Sequence, residues 1–319
     1  MIVTVTLNAA LDRTLTVPNF QNGQRHRASS GLTLAGGKGI NIARALKRLD
    51  VPVVATGLAG GQTGTRIIEE LTAEAILNDF VRIAGESRTS TAVVDPMVGS
   101  YTEINEWGPH VTAEELGMLR EKLDYLAGAA QVVVFAGTLP RGVDDGWYAD
   151  AIRDLNRKGI QTVLDSEGQP LRLGTEAEPF LVSPNQREAE GLVGRELNDD
   201  EDFHEGLDAI ADRGARNVLL TQESGAFGLF RDERKVQRYH AVSPSVDAVS
   251  VVGSGDVLLA AFLAARFAGR SSAEALRRAV AAGSVATLEL GAGRFDAREA
   301  ARLAEGVRVD ELQPVTSDV

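Results

Sequence analysis

The sequence predicts an α/β protein of three layers, in which a mostly parallel sheet lies between helices on both faces. Short apolar or β-branched runs alternate with helical segments along most of the chain. Glycine-rich turns open several of those helices. Two polar stretches, at about 12–34 and 88–107, have the pattern of short strands and interrupt the alternation. We therefore expect one domain over residues 1–319, with a small second sheet formed by the two inserted segments.

The composition limits the class of protein. The 319 residues carry a formal net charge of −12, which opposes nucleic-acid binding because that requires a basic face. There is no cysteine, and the four histidines are scattered without ligand spacing, so thiolate and zinc sites find no support. No apolar run reaches roughly 18 residues, the length that spans a membrane. Residues 2–7 have the pattern of a strand rather than of a signal peptide, so we expect a soluble cytoplasmic protein.

The first strand is predicted over residues 2–7, which alternate and are β-branched. It ends near Asp12. Open α/β sheets bind ligands beyond the carboxyl ends of their strands, so Asp12 is a candidate site residue. A solvated aspartate in a turn fits the same pattern.

A glycine-rich turn around Gly37 and Lys38 opens the next predicted helix, which is amphipathic from Ile42 onward. A lysine and helix N–H groups in such a turn can bind a phosphate. A tight structural turn is the competing interpretation. The turn is not a Walker A loop, because neither serine nor threonine follows Lys38.

The next elements are a strand at 53–58 and a helix at about 65–73. Two strand-like runs at 91–94 and 101–106 are close in sequence and predict a hairpin. Pairing this hairpin with the polar region 14–34 would complete the small second sheet.

From residue 112 onward, helices and strands alternate steadily. The predicted helices span 112–127, 147–158, 200–213, 257–267, 272–290 and about 297–304, with one more starting at 183–188. The predicted strands span 131–136, 162–165, 180–182 and 217–221, with a hairpin at 227–230 and 235–241. The tail after residue 309 is expected to be frayed.

The segment from Val251 to Asp256 directly precedes a long apolar, alanine-rich run of helical length. Its two glycines bring backbone N–H groups close to a ligand, and the positive end of the helix dipole favours an anion there. Asp256 is a carboxylate that can accept a proton from a hydroxyl. An ordinary helix N-terminus also fits this short motif. Because Asp12, Arg141, Asn185 and this loop all follow predicted strands, we expect one shared cleft.

Several long motifs, in the right order, resemble the phosphofructokinase-B branch of the ribokinase-like carbohydrate kinases over nearly the whole chain. Residues 36–46 are similar to the first signature of that family, and residues 252–256 are similar to the second. The other similar segments are 6–12, 88–89, 102–106, 137–142, 183–188 and 281–288. The resemblance implies a ribokinase-like α/β/α domain with a small β-sheet lid that excludes water, and a homodimer formed through that lid.

The resemblance also implies an ATP- and Mg²⁺-dependent kinase for a phosphorylated ketohexose. Fructose 1-phosphate is the favoured acceptor, and tagatose 6-phosphate and fructose 6-phosphate are the alternatives. Asp256 would be the general base, and the N–H groups of Gly253, Ser254 and Gly255 would stabilise the transferring phosphoryl group. The acceptor would be bound by Asp12, Gly37, Lys38, Asn41, Arg88 and Arg141. Three of these are cations, and Arg27 would be a weaker fourth. The nucleotide side would comprise Asn185, Glu188, Thr221, Gly225 and Gly283, with Asn185 and Glu188 acting on Mg²⁺ through water.

Within that list, Asp12 and Asn41 are expected to orient sugar hydroxyls, and Lys38, Arg88 and Arg141 are expected to bind the phosphate that the sugar already carries. An acidic chain needs such local cations to hold a dianion.

The departures from the family pattern lie on the nucleotide side. Ser183 stands where a lysine usually precedes Pro-Asn, and residues 221–226 replace a Ser-Leu-Gly type of segment. A non-catalytic sugar-phosphate sensor is therefore a second hypothesis, although Asp256 favours an enzyme because a binder needs no base. A dinucleotide-binding oxidoreductase fits less well, because no Gly-x-Gly-x-x-Gly follows the first strand.

Overall fold

The computed structural model describes residues 1–232 and 235–313. Its strands are β1 (Ile2–Thr6), β2 (Ala10–Thr16), β3 (Ser30–Gly36), β4 (Val53–Gly60), β5 (Leu77–Ile83), β6 (Arg88–Asp95), β7 (Ser100–Asn105), β8 (Val132–Ala136), β9 (Gln161–Asp165), β10 (Leu181–Val182), β11 (Val218–Gln222), β12 (Gly225–Asp232), β13 (Lys235–Val242) and β14 (Arg308–Leu312). Its helices are α1 (Lys38–Arg48), α2 (Gly61–Ala73), α3 (Ala113–Ala127), α4 (Trp147–Arg157), α5 (Gly168–Thr175), α6 (Gln186–Val193), α7 (Asp200–Asp212), α8 (Ser254–Phe267), α9 (Ser272–Ala286) and α10 (Ala297–Ala304).

The large sheet has ten strands in the order β14-β13-β12-β11-β10-β9-β8-β1-β4-β5. The strands from β5 to β11 along this order are parallel, and β12, β13 and β14 extend one edge as antiparallel neighbours. Parallel neighbours need long crossover connections, which the helices supply. The predicted three-layer, mostly parallel architecture is confirmed.

Two hydrophobic cores lie on the opposite faces of the large sheet, and β1 contributes to both. Ile2 belongs to the core that α1, α8 and α9 cover. Val3 and Val5 belong to the core that α3, α4 and α7 cover. Because successive side chains of a strand point to opposite faces, a central strand of this kind must be apolar on both.

The small second sheet has the order β3-β2-β6-β7, and we call it the lid sheet. It combines the N-terminal segment with the β6–β7 hairpin, so this prediction is confirmed. Asp12, the first residue of the predicted lid segment 12–34, is also expected just past the end of the first strand of the large sheet. It lies inside β2, opposite Leu34 of β3 and Ser90 of β6. The chain turns at Leu7–Ala9 and enters the lid sheet at once, which no pattern in this short segment indicates.

Other differences lie at the boundaries of elements. The sequence analysis did not predict β5 or α5, and α2 begins at Gly61 rather than at 65. Helix α9 ends at Ala286 rather than at 290. The tail after residue 309 is predicted to be frayed, and this prediction is wrong for residues up to Leu312, which belong to β14. Strand β14 pairs with β13 there, a long-range contact that the local sequence does not encode. Residues 314–319 of that tail lie outside the described residues.

In the described ranges, no helix combines the length and the apolar character that crossing a membrane requires.

Candidate active site

A cleft of about 1000 Å³ lies between the large sheet and the lid sheet. Residues at or after the carboxyl ends of β1, β8, β9, β10 and β11, together with the glycine loop before α8, line one side, and residues of β2, β6 and β7 line the other. The carboxyl ends of parallel strands meet at one edge, so the fold itself assembles this site. The cleft brings together all the sequence-predicted site residues except Gly225, Gly283 and Arg27.

The glycine loop at the start of α8 depends on Gly253. This residue has φ 75° and ψ 6°, in the left-handed region that favours glycine. A Cβ added there would lie 2.6 Å from the Cβ of Ala292, too close for any side chain. Ser254 opens the helix and its backbone N–H donates to the carbonyl of Val251 at 3.3 Å. That N–H is therefore engaged within the loop, and the phosphoryl contact expected of it remains a prediction. The other N–H groups of a first turn lack partners within the helix, so those of Gly255 and Asp256, which line the cleft, can act as anion donors.

Asp256 lies in the first turn of α8 and is 6% exposed. Burial raises the pKa of its carboxyl from 3.8 to about 7, and the negative charge of Asp165 adds to that effect. The Lys38 ammonium and a hydrogen bond from Asn41 act in the opposite direction. A carboxylate that titrates near neutral pH suits a general base, because it is deprotonated at working pH and still basic.

Asn41 is the direct partner of Asp256. Its Nδ2 donates to Oδ2 of Asp256 at 2.8 Å, and Asn41 is 5% exposed. The sequence analysis assigned Asn41 to sugar hydroxyls. The structure places its amide on the carboxylate of Asp256, and a contact with the sugar remains a prediction.

Lys38 is the first residue of α1, and its N-cap Gly37 has φ 105°, a conformation that again favours glycine. Its Nζ lies 2.6 Å from Oδ1 of Asp165 and 3.4 Å from Oε1 of Glu188. Burial opposes the ammonium charge, but these two carboxylates and Asp256 outweigh it and raise the pKa of Lys38 above its ordinary range. Lys38 therefore lies in a cluster of carboxylates, and its proposed contact with the sugar phosphate remains a prediction.

Asp165 is the functional residue that sequence reasoning missed. It is the last residue of β9, is 4% exposed and lines the cleft. The signal was present, because a carboxylate at the carboxyl end of a predicted strand is the rule that selected Asp12.

Asn185 and Glu188 form a capping box at the start of α6. The Asn185 Oδ1 accepts from the Glu188 N–H at 3.0 Å, and the Glu188 Oε2 accepts from the Asn185 N–H at 2.9 Å. The other carboxylate oxygen of Glu188 faces Lys38. Burial raises the pKa of Glu188, because water no longer solvates its charge fully.

These residues fit Mg²⁺ held through water. Within the parts of the chain that the structure describes, no group of three or more ligating side chains could hold a metal directly. Mg²⁺ keeps several waters and commonly needs only one or two carboxylates beside the substrate phosphates. Asp165 and Glu188 supply two such carboxylates on one wall of the cleft, next to the amide of Asn185.

Arg88 and Arg141 line the cleft, and each donates a hydrogen bond from its Nε to a backbone carbonyl. Nε of Arg88 donates to the carbonyl of Asn8 at 3.3 Å, and Nε of Arg141 donates to the carbonyl of Gly108 at 3.0 Å. Asn8 and Gly108 are adjacent, since a Cβ on Gly108 would lie 2.0 Å from Oδ1 of Asn8. Neither arginine has a carboxylate partner among the described residues. Each Nε thus orients its guanidinium, and Nη1 of Arg88 also donates to Oδ1 of Asn105 at 3.2 Å. Nη2 of Arg88 and the Nη groups of Arg141 are what remains for a ligand among the described residues.

Asp12 faces the same end of the cleft from β2. Burial raises the pKa of its carboxyl to about 6, while the charge of Arg88 lowers it and that of Glu103 raises it. A Cβ at Gly36 would lie 1.9 Å from Oδ2 of Asp12, so the neighbouring strand needs a glycine there. A buried carboxylate beside an arginine can accept hydrogen bonds from sugar hydroxyls.

The remaining predicted residues lie elsewhere. Thr221 ends up in the cleft wall, but Gly225 and Gly283 do not. A Cβ at Gly225 would lie 2.0 Å from the carbonyl of Ala241, and one at Gly283 would lie 3.1 Å from the Cβ of Leu258. The structure thus gives both glycines a packing role, and their contact with a nucleotide remains a prediction. Arg27 is exposed.

Comparisons with known proteins identify the family of the whole chain. A family model described as pfkB family carbohydrate kinase matches residues 3–298. The chain is 31% identical over 315 residues to a 1-phosphofructokinase of Rhodobacter capsulatus, covering 98% of this chain and 99% of that protein. A possible 1-phosphofructokinase from Thermotoga maritima has a TM-score of 0.89 at 25% identity, covering 98% and 100% of the two chains. Phosphofructokinase-2 from Escherichia coli in complex with fructose-6-phosphate has a TM-score of 0.85 at 28% identity, covering 96% and 98%.

Proposed function

The chain belongs to the pfkB family of carbohydrate kinases and is a sugar phosphotransferase, and from this premise we propose that it phosphorylates a phosphorylated ketohexose with ATP. Fructose 1-phosphate is the first candidate acceptor, which would give fructose 1,6-bisphosphate. The name of the Rhodobacter capsulatus relative supports this choice. Tagatose 6-phosphate and fructose 6-phosphate are the alternatives.

The observation that carries the proposal is the pair of arginines at the acceptor end. A protein with a net charge of −12 repels a sugar phosphate at long range, so the site must supply local cations. Both arginines are held on backbone carbonyls, and Nη1 of Arg88 also donates to Oδ1 of Asn105 at 3.2 Å. Nη2 of Arg88 and the Nη groups of Arg141 can form charge-assisted bonds with phosphate oxygens. A kinase for free sugars has no use for two such cations, since leaving them unpaired under a bound neutral sugar is unfavourable.

The geometry supports direct transfer of a phosphoryl group. Asp256 takes the proton of the acceptor hydroxyl as its oxygen forms a bond to the terminal phosphorus of ATP. The bond from that phosphorus to the bridging oxygen breaks, and ADP leaves. The first-turn N–H groups around Gly253 and Gly255 are directed at the charge that develops on the transferring group.

Lys38 and the carboxylates of Asp165 and Glu188 would balance the charges that Mg²⁺ and the phosphates of ATP bring to the site. Mg²⁺, when bound, neutralises charge on the phosphates of ATP, and Asp165, Asn185 and Glu188 would hold it through water. Lys38 lies between that wall and Asp256, so it balances the negative charge that three carboxylates bring together.

One experiment tests the proposed function. ADP release is measured against fructose 1-phosphate, fructose 6-phosphate, tagatose 6-phosphate, free fructose and ribose. Because each lost charge-assisted hydrogen bond costs roughly 1.5–3 kcal/mol, we expect kcat/KM for the best phosphosugar to exceed that for free sugars by more than about a hundredfold. Comparable values for fructose and fructose 1-phosphate would contradict the arginine argument. Tight binding of a phosphosugar without any ADP release would favour the sensor hypothesis.

We also propose that two copies associate through their lid sheets. Strands β3 and β7 are the edges of that sheet, and Ile104 on β7 is 62% exposed. An open edge with exposed apolar side chains favours pairing with another chain. Sedimentation should give the mass of a dimer, and Ile104→Lys should shift it towards the monomer. A monomeric wild-type protein at micromolar concentration would contradict this proposal.

A further inference from the structure

Arg44 is a buried cation of α1 that the proposed chemistry does not yet use; it is 2% exposed. Its Nε and Nη2 contact the two carboxylate oxygens of Glu74 at 2.6 and 2.9 Å. Nη2 also donates to the carbonyl of Ala35 at 2.7 Å, and Nη1 donates to that of Ala292 at 3.1 Å. The fifth contact runs from Nη1 to Oδ1 of Asn41 at 3.3 Å. All five N–H groups of the guanidinium therefore have a partner.

The contact between Arg44 and Asn41 fixes the orientation of an amide. A guanidinium offers donors only, so the end of the Asn41 amide that faces it must be the oxygen. Nδ2 then points the other way, to Oδ2 of Asp256 at 2.8 Å. A reversed amide would place NH₂ against the guanidinium and oxygen against the carboxylate, and both contacts would be repulsive.

We propose that Arg44 is a positioning residue for the reaction: by fixing the Asn41 amide, it keeps Nδ2 on Asp256 and holds that carboxylate charged and oriented towards the acceptor hydroxyl. This inference rests on the proposed kinase function. It assigns no contact between Arg44 and the substrate.

The surroundings of Asp256 show why one hydrogen bond matters. Burial and the charges of Asp165 and Asp12 favour its protonated form, and the charge of Lys38 and the Asn41 amide oppose them. Lys38 is already ion-paired with Asp165 at 2.6 Å, so its charge is shared. The Asn41 bond is specific to the charged form of Asp256, and its loss should raise the pKa of that carboxyl.

The other contacts of Arg44 connect it to three segments around the site: β3, the end of α2 and the backbone behind the glycine loop. Ala35 belongs to β3 of the lid sheet, and Glu74 is the C-cap of α2. Ala292 is the residue that a Cβ on Gly253 would strike, so it forms the back of the glycine loop. A purely structural role for Arg44 is the alternative, and the experiment must separate the two.

The test is a double-mutant cycle in turnover. Arg44→Lys keeps a positive charge beside Glu74 but removes the planar fork that reaches Asn41 as well. The cycle combines it with Asn41→Ala, and Arg48→Lys is the matched control. Arg48 is exposed on the same helix, and its Nη1 donates to the carbonyl of Phe295 at 3.3 Å without touching Asn41.

The readouts are kcat, KM and the pH profile of kcat with the best phosphosugar acceptor of the wild type. We expect Arg44→Lys to lower kcat about tenfold and to move the acidic limb upward by about one pH unit, with KM changed less than about threefold. On the Asn41→Ala background it should have no further effect on kcat. Arg48→Lys should match the wild type in every readout.

Three outcomes would overturn the inference: an unchanged kcat and acidic limb, an effect on KM alone, or losses that multiply in the double variant. Each variant is first checked by circular dichroism and thermal unfolding. If Arg44→Lys does not fold, Arg44→Gln takes its place in the cycle, because a neutral amide can both donate and accept and no longer forces one orientation. A wild type that phosphorylates no sugar phosphate would refute the proposed function, whereas an active wild type with a multiplicative cycle would refute only the role of Arg44.

Discussion

Replacing Asp256 with asparagine should abolish most turnover and stabilise the fold at the same time. The asparagine keeps the size of the side chain but cannot accept a proton, and a general base contributes typically 10²–10⁴-fold. We therefore expect kcat to fall by about that factor. Acceptor binding should stay close to that of the wild type, because the proposed phosphate contacts involve Arg88 and Arg141 rather than Asp256.

The expected stabilisation follows from the direction of the pKa change. In the folded protein, burial raises the pKa of Asp256 from 3.8 to about 7. Between these values the folded state binds more protons than the unfolded state, so this group makes the free energy of unfolding fall as pH rises. At about 1.36 kcal/mol per pH unit, the upper limit of the penalty above pH 7 is about 4 kcal/mol. Asp256→Asn removes that full penalty at pH 8 and only a smaller part of it at pH 5, so its stabilising effect should be larger at pH 8.

The assay combines ADP release, calorimetry with the acceptor, and urea denaturation at pH 5 and pH 8. The matched control is Asp150→Asn, because Asp150 is also a first-turn aspartate, on α4, but its side chain is 68% exposed. The control should change neither kcat nor the free energy of unfolding by much. If Asp256→Asn keeps kcat within about threefold of the wild type, or if it is less stable than the wild type at pH 8, the reasoning about this carboxylate is wrong.

Three further predictions follow from the same site. Arg141→Ala should raise KM for the phosphosugar roughly tenfold to a hundredfold and leave KM for ATP nearly unchanged, since it removes charge-assisted bonds to the phosphate; steady-state kinetics with each substrate varied would show equal effects if this is wrong. Lys38→Met should move the acidic limb of the kcat profile to higher pH, because the Lys38 charge lowers the pKa of Asp256; an unchanged limb would contradict it. Gly253→Ala should cost more than about 1 kcal/mol in urea denaturation and most of kcat, because it combines a left-handed φ with a 2.6 Å contact at Ala292, and wild-type stability would show that the loop relaxes.

The sequence was informative where a local motif is itself the structural cause. Gly253 and the apolar run after Asp256 define a turn and a helix whatever lies around them, and the structure has both. The capping box at Asn185 is equally local. The buried strand β1 could be read from its β-branched residues.

Features that depend on distant partners could not be predicted in the same way. The lid segment could be predicted from about residue 12 onward, but the sequence does not show that β2 begins at Ala10 or that Asp12 pairs with Ser90, which lies 78 residues further along the chain. The cluster of Lys38 with Asp165 joins residues 127 positions apart. Strand β14 forms because its backbone pairs with the free edge of β13, which lies far away in the sequence. The amphipathic pattern of α1 does not indicate that Arg44 is buried, because its partners Glu74 and Ala292 lie far away in the sequence.

A substitution of Asn185 or Glu188, at the start of α6, would affect both the folding stability and the proposed cation site. One oxygen of Glu188 caps the helix while the other faces Lys38, and the Asn185 side chain caps it in return. Loss of a cap costs about 1 kcal/mol in folding stability whether or not any cation is bound. A duplicated copy of this protein that had lost its activity would therefore still be selected to keep Asn185 and Glu188 for as long as it had to fold. Survival of this pair alone would then be a poor indicator of a working kinase, and the base at Asp256, which costs stability, would be the better one.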